Sequence, residues 1–228
     1  EHTVREELNI ISKRVMAVLD PLKVIITNYP KNKVEKIEAI NNQENKSEGN
    51  RKIPFSREIY IERKDFFEDP PKKYFRLAPG KEVRLLHAYY IKCNKVIKNN
   101  NKITELHCEY DSKSKGGWTK DGRKVKGTIH WVSAEHALNA QINIYNRLFT
   151  KENPLDSSEF TDNLNPNSLQ IIYNAKVEPS LGKNNSSENF QFIRTGYFVL
   201  DKLSKAHKLI FNQSVALRDS WAKINKNV

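Results

Sequence analysis

Apolar residues recur with period two along most of the chain, in short runs rich in Val, Ile, Tyr and Phe that stand between turn residues. The stretch RKVKGTIHWVS, residues 123–133, shows the pattern plainly. Val125, Ile129 and Trp131 fall on one side of an extended chain, and Lys124, Lys126, Thr128 and His130 fall on the other. One face is suited to a core, the other to water or an acidic partner. VMAVLD and LKVIITN, on either side of Asp20-Pro21, read as buried strands. REIYIER, KYFRL and the long EVRLLHAYYIKCNKVIK follow, the last with a hairpin partner, ITELHCEYD, across the turn KNNNK. Further strands are predicted in QINIYNRLF, SLQIIYNAKVEPSL, FQFIRTGYFVLD and KLIFNQSVALRDSWAKI. Only TVREELNIIS predicts a helix, with Thr3 and Glu6 spaced as a capping box. Residues 31–51 are polar and predict a hairpin excursion or surface loop.

About a dozen short strands and almost no helix imply a mainly β fold of one or two antiparallel barrels or sandwiches. The 228 residues, 38% apolar and 10% aromatic, are enough to bury a core. Two cysteines, Cys93 and Cys108, lie in strand runs with no CxxC partner, which fits reduced thiols packed as small apolar groups. No apolar run approaches the roughly 20 residues that span a bilayer, and the first residues resemble no secretory or mitochondrial leader. A soluble cytoplasmic protein is expected. Residue 1 is Glu, so the chain is expected to be part of something longer.

Catalytic patterns are missing. No GxSxG, HExxH or P-loop occurs, and the six histidines lack ligand spacing, so no catalytic and no metal-binding residue is assigned. DKLSKAHK, residues 201–208, has the look of a nucleotide-contacting lysine loop but no nucleotide motif upstream, so it reads as a connection. Charge points elsewhere. Lys plus Arg number 39 against 27 Asp plus Glu, a formal net charge of +12, which favours a polyanion through counterion release. Cations also interleave with aromatics and amides: Tyr74-Phe75-Arg76, Arg84 with Tyr89-Tyr90, Lys124 and Lys126 beside His130, and Phe190-Gln191-Phe192 with Arg194 and Tyr197. Single-stranded RNA calls for this mixture, because splayed bases stack on planar side chains while Arg and amide groups bond base edges. Lys124 and Lys126 are candidate phosphate contacts, and His130 is read as structural.

The blocks RVMAVLDPLKVIITNYP, PFSREIYIER, YFRLAPGKEVRL, DGRKVKGTIHWVSAEHA, YNRLFTKENP and FQFIRTGYF, in this order, resemble the C-terminal half of the glutaminyl-tRNA synthetases, over residues 3–226. The resemblance implies two β-barrels that splay three anticodon bases into separate pockets, with a short helical lead-in (residues 1–13), a first barrel (14–132) and a second barrel (133–228). It implies that Arg14 of RxMAV joins Gln191 and Arg194 of FQFxR around the middle base, a uridine. Arg76 of YxRL is implied to read the third base, a guanosine, and Arg84 to lie near the first. Asn9, Asn45 and Lys46 are implied to touch the anticodon stem-loop. Leu86 stands where the family commonly has a second arginine. The implied partners are tRNA(Gln) and an N-terminal catalytic domain of the same chain, which would hold the only cofactor, ATP with magnesium, in a monomeric ligase. Two rivals share the composition: the same barrels from a glutamyl-tRNA synthetase, and a non-catalytic RNA-binding barrel.

Overall fold

The computed structural model describes residues 1–119, 121–153, 155, 159–183 and 188–217. Helix α1 (His2–Ile11) leads into β1 (Lys13–Val15) and β2 (Ala17–Val18), separated by Met16, and then β3 (Pro21–Ile26). A hairpin of β4 (Glu35–Ile40) and β5 (Asn50–Phe55) precedes β6 (Glu58–Glu62). Next come β7 (Glu82–Leu85), the long hairpin of β8 (Tyr90–Asn99) and β9 (Lys102–Asp111), and the pair β10 (Thr128–Ile129) and β11 (Trp131–Ser133). The second half supplies β12 (Leu138–Tyr145), β13 (Leu169–Val177), β14 (Asn189–Phe192), β15 (Gly196–Leu200) and β16 (Leu209–Ala216).

Fourteen of the sixteen described strands form two seven-stranded, nearly closed sheets, in the orders β10-β7-β8-β9-β3-β6-β11 and β1-β14-β15-β16-β12-β13-β2, and β4 and β5 pair with each other as a separate ribbon. Each sheet meets its own end at one residue. The edge strands of the first flank His130, and those of the second flank Met16, so one continuous segment supplies both edges of each barrel. Closure in this way leaves no long open edge. Each barrel has its own core: Leu22, Ile61, Val83 and Trp131 in the first, Phe190, Phe192, Phe198 and Phe211 in the second. Residues 14–18 fall within the bounds given to the first barrel, yet Lys13–Val15 runs beside β14 and Ala17–Val18 beside β13 of the second sheet, an exchange of strands across an approximate boundary.

The architecture is mainly β with one short helix, as the pattern predicts, and several local readings are corrected. The sheets are mostly antiparallel, but four pairings are parallel: β1 with β14, β7 with β10, β3 with β9 and β12 with β16. Helix α1 starts one residue before Thr3 and carries no side-chain cap bond, so the Thr3–Glu6 capping box is not used. KYFRL forms no strand. Lys73 sits at φ 68°, and only Leu77 makes an isolated bridge, to Phe66. EVRLLHAYYIKCNKVIK is two strands, β7 and β8, because the chain turns at His87, held at φ 64°. The KNNNK turn does form, with Asn100 and Asn101 both at positive φ, as a tight hairpin demands. Residues 123–127 are not strand, and His130 is fully buried at the barrel seam rather than on a wet face. Cys93 and Cys108 are cross-strand neighbours on β8 and β9, buried and free. No helix among the described residues is long and apolar enough to cross a membrane.

Candidate nucleic-acid interface

Two clusters of the candidate residues form where the barrels and α1 meet. The first is built on a register match: β1 lies parallel to β14 with Arg14 opposite Gln191, two residues 177 positions apart in sequence. Arg14 donates through Nη2 to Asn9 Oδ1 (3.0 Å) and through Nη1 to Gln43 Oε1 (3.1 Å). Gln191 Nε2 donates to the Tyr197 hydroxyl (3.1 Å), and that hydroxyl donates to Asn9 Oδ1 (3.3 Å). Asn9, Arg14, Gln191 and Tyr197 are therefore one connected group. Arg14 Nε is buried with no hydrogen-bond partner among the described residues. Burial pushes the Tyr197 hydroxyl above the ordinary tyrosine range.

Helix α1 positions Asn9, and two contacts fix the helix. Leu8 packs with Tyr197 and Val215 on the outside of the second barrel. Asn42, fully buried, donates its amide to the carbonyls of Asn9, Ile10 and Ser12, which satisfies carbonyls that a helix end otherwise leaves orphaned. The Arg14 amide in turn donates to Asn41 O at 2.6 Å, and Glu44 lies 3.5 Å from the guanidinium. The polar segment 31–51 thus folds as a hairpin that walls this cluster. Asn45 caps a single 3-10 turn that begins at Lys46, accepting from the Ser47 amide at 3.2 Å. Both are on the rim, and Lys46 is exposed.

The second cluster gathers on Asp65, whose side chain is fully buried. Arg194 grips it with both terminal nitrogens, Nη1 to Oδ2 at 2.6 Å and Nη2 to Oδ1 at 2.7 Å, and Arg76 Nη1 bonds Oδ1 as well. Arg194 comes from the turn after β14 and stands at φ 68°, a left-handed conformation that is costly for a side chain this size. The strand ends at Phe192, and a turn over residues 193–195 follows, closed by the Thr195 amide on Phe192 O. Gln191 lies opposite Arg14 in the strand register, and Arg194 reaches Asp65 of the first barrel. In the hydrogen-bond network Arg194 and Arg76 share Asp65, while Gln191 joins Asn9 and Arg14 through Tyr197.

Behind Asp65 lies a buried polar joint. His130 Nδ1 is 3.5 Å from Arg194 Nη1, and His130 Nε2 is 3.7 Å from Glu62 Oε1. Glu62 also accepts from the Leu19 amide at 2.7 Å. Burial pushes the Glu62 carboxyl up, but the neighbouring imidazole and the Leu19 amide outweigh it and hold it below its usual range. For Asp65 burial wins over the Arg194 contact, and its carboxyl is raised. A third bridge matches these: Glu178, buried in the second barrel, takes a two-pronged contact from Arg51 of the first (2.6 and 3.0 Å) and accepts from the Met16 amide at the seam.

Arg84 lies on β7 next to Thr128 of β10, away from both clusters in the hydrogen-bond network, with its Nε buried and unpartnered. Lys126 stands over the exposed Phe75 ring at 5.0 Å, and Lys124 is exposed. Neither lies in a strand. Asn42, Asp65, Glu62 and Glu178 escaped the sequence reading, since a single buried polar residue shows only once its distant partners are known. Tyr197 carried a signal, because hairpin pairing opposite Gln191 follows from the turn between them.

Residues 12–111 match the family described as tRNA synthetases class I (E and Q), anti-codon binding domain, and residues 128–201 match a second family of the same description. Among curated proteins, the chain is 53% identical over 224 residues to the glutamine–tRNA ligase of Bradyrhizobium diazoefficiens. That alignment takes in 98% of this chain and 40% of the relative. The glutamine–tRNA ligase of Clostridium kluyveri is 48% identical over 231 residues, and that of Rhodopirellula baltica 50% over 228. The chain spans about 40% of the length of the curated relatives it matches.

Proposed function

Since the chain belongs to the anticodon-binding family of the class I tRNA synthetases for glutamate and glutamine, we propose that it reads the anticodon of tRNA(Gln) as part of a glutamine–tRNA ligase. The observation that carries this is the convergence of Arg14, Gln191, Asn9 and Tyr197, from segments far apart in sequence, on one half-buried site of a basic chain. Those groups suit a uracil edge. A carboxamide donates and accepts at once, and a guanidinium adds a fork of donors. Exchange of internal amide partners for base atoms leaves the number of hydrogen bonds nearly constant, so the base is selected by shape and donor pattern.

Arg76 keeps part of its guanidinium open to solvent while Asp65 holds the other part, which fits a bidentate contact to guanine O6 and N7. Arg194 has both terminal nitrogens on Asp65, so its role in this reading is to fix the joint that holds the two pockets at one spacing. Glutamine, rather than glutamate, rests on the relatives at about half identity, all three of them glutamine ligases. A charging assay on the full-length protein with each amino acid tests that choice.

The anticodon reading is tested by fluorescence anisotropy with two RNA stem-loops of equal length and charge, one carrying the loop triplet CUG and one a permuted triplet. A preference for CUG of at least about tenfold is expected, since each good base contact is worth roughly 1–3 kcal/mol. Equal affinities would leave only a basic surface.

A further inference from the structure

One large aromatic side chain faces solvent within a segment rich in Lys and Arg, residues 113–126. Trp118 is 79% exposed, on the loop after β9, and has no ring partner and no cation over it among the described residues. Fixed contacts connect that loop to the surface around Arg84. Gly117 sits so close to the Arg84 side chain that a Cβ there would lie 2.5 Å from Cδ, and Gly117 O accepts from the Tyr90 hydroxyl at 2.9 Å. The Arg84 amide donates to Gly127 O (2.9 Å), and Gly127 packs on the Phe75 carbonyl with no room for a Cβ. Phe75, half exposed under Lys126, therefore continues the same face. Trp118, Arg84, Lys126 and Phe75 make one basic, aromatic strip, and none of the four belongs to the Arg14 or Asp65 clusters.

An indole left in water forgoes burial of one of the largest apolar surfaces a side chain has. Here it follows directly on a backbone fixed at Gly116 and Gly117 by bonds to Ala88, Ser114 and Tyr90, next to the Arg84 guanidinium. A flat apolar ring beside clustered positive charge is complementary to a nucleobase, which presents a π face on an anionic backbone. A protein partner would more naturally bury Trp118 among apolar neighbours, whereas the surrounding segment, residues 113–126, is rich in Lys and Arg.

We propose that Trp118 is a stacking platform for one unstacked nucleobase of the bound RNA loop, with Arg84 donating to the same nucleotide. The proposal rests on the anticodon reading and goes beyond it by adding a recognition residue. Binding of the 228-residue chain to the CUG stem-loop is measured for wild type, Trp118→Ala, Trp118→Phe and Arg14→Ala. It is then repeated with stem-loops abasic at each of the three anticodon positions in turn. Trp118→Ala should weaken binding of the intact loop roughly 5- to 100-fold, with Trp118→Phe keeping most of it. One of the three abasic loops should bind wild type and Trp118→Ala alike, because the partner base is gone. Thermal melting of both Trp118 variants should match wild type, as expected for an exposed ring. Unchanged binding by Trp118→Ala, with Arg14→Ala still impaired, would overturn the proposal and leave the anticodon reading standing. A Trp118→Ala loss that persists with all three abasic loops would overturn it too, since the ring would then touch backbone or protein. Failure of wild type to prefer the CUG loop would remove both.

Discussion

Asp65→Asn isolates the joint between the barrels. Its carboxylate is fully buried and bonded by Arg194 from the second barrel and Arg76 from the first. Loss of one partner of a buried ion pair costs roughly 3–5 kcal/mol, because the other charge stays desolvated. Arg194 keeps a quarter of its side chain in water and Arg76 more, so about 2–3 kcal/mol is the expected loss of stability. The stranded charge sets that figure, and this can be tested: with Arg194 also gone, only the more exposed Arg76 is left without its carboxylate. A double-mutant cycle of Asp65→Asn and Arg194→Ala, followed by urea unfolding and circular dichroism, should show the double variant no worse than the poorer single one. The coupling should be at least about 1.5 kcal/mol. Additivity within about 0.5 kcal/mol would refute the reasoning, since independent sites add to that tolerance.

Other outcomes follow from the same contacts. Glu35 accepts from the Tyr29 and Tyr89 hydroxyls and meets Lys33 and Lys115; burial pushes its carboxyl up, but these donors pull it down to about 2. A carboxyl held below its usual 4.5 stabilises the fold above that pH and loses the effect as pH falls toward about 2. Glu35→Gln should therefore cost roughly 1–2 kcal/mol at pH 7, discounted because the lysines are half exposed, and the gap to wild type in chemical unfolding should close between pH 4.5 and 2. Asn42→Ala should free the end of α1, cost about 1–3 kcal/mol and weaken the CUG loop beyond the permuted one; an unchanged binding ratio would separate the helix end from the Arg14 site. Lys124→Ala and Lys126→Ala together should weaken all stem-loops alike and lower the slope of log affinity against log salt by roughly one to two, and a base-selective loss would contradict a phosphate role.

How much of this was legible in the sequence differs by residue. Alternation around Ile59, Ile61, Ile129 and Trp131 places them in a core because period two survives whatever strand lies next door. The break at His87 was hidden, since histidine at positive φ gives no turn signal of the kind Gly or Asn gives. KYFRL alternates like a strand, yet Gly127 against the Phe75 carbonyl and the kink at Lys73 give its backbone other partners. Arg14 and Gln191 were named from motif resemblance, and their adjacency is a property of parallel β1–β14 pairing, which no local pattern encodes. Arg194 shows the limit most clearly. Motif resemblance groups it with Arg14 and Gln191, while its left-handed backbone and the buried carboxylate that holds it, 129 positions away, show in no local pattern.

The central claim is that Arg14 and Gln191 together meet an unstacked base of the anticodon loop. A stem-loop with 4-thiouridine as the middle anticodon base, irradiated in complex with the chain, tests it by zero-length cross-linking and peptide mass spectrometry. Cross-links should fall on the peptides that hold Arg14 and Gln191 through Tyr197, and Arg14→Ala should reduce them. Cross-links confined to the segment around Lys124 and Lys126, unaffected by Arg14→Ala, would contradict the account.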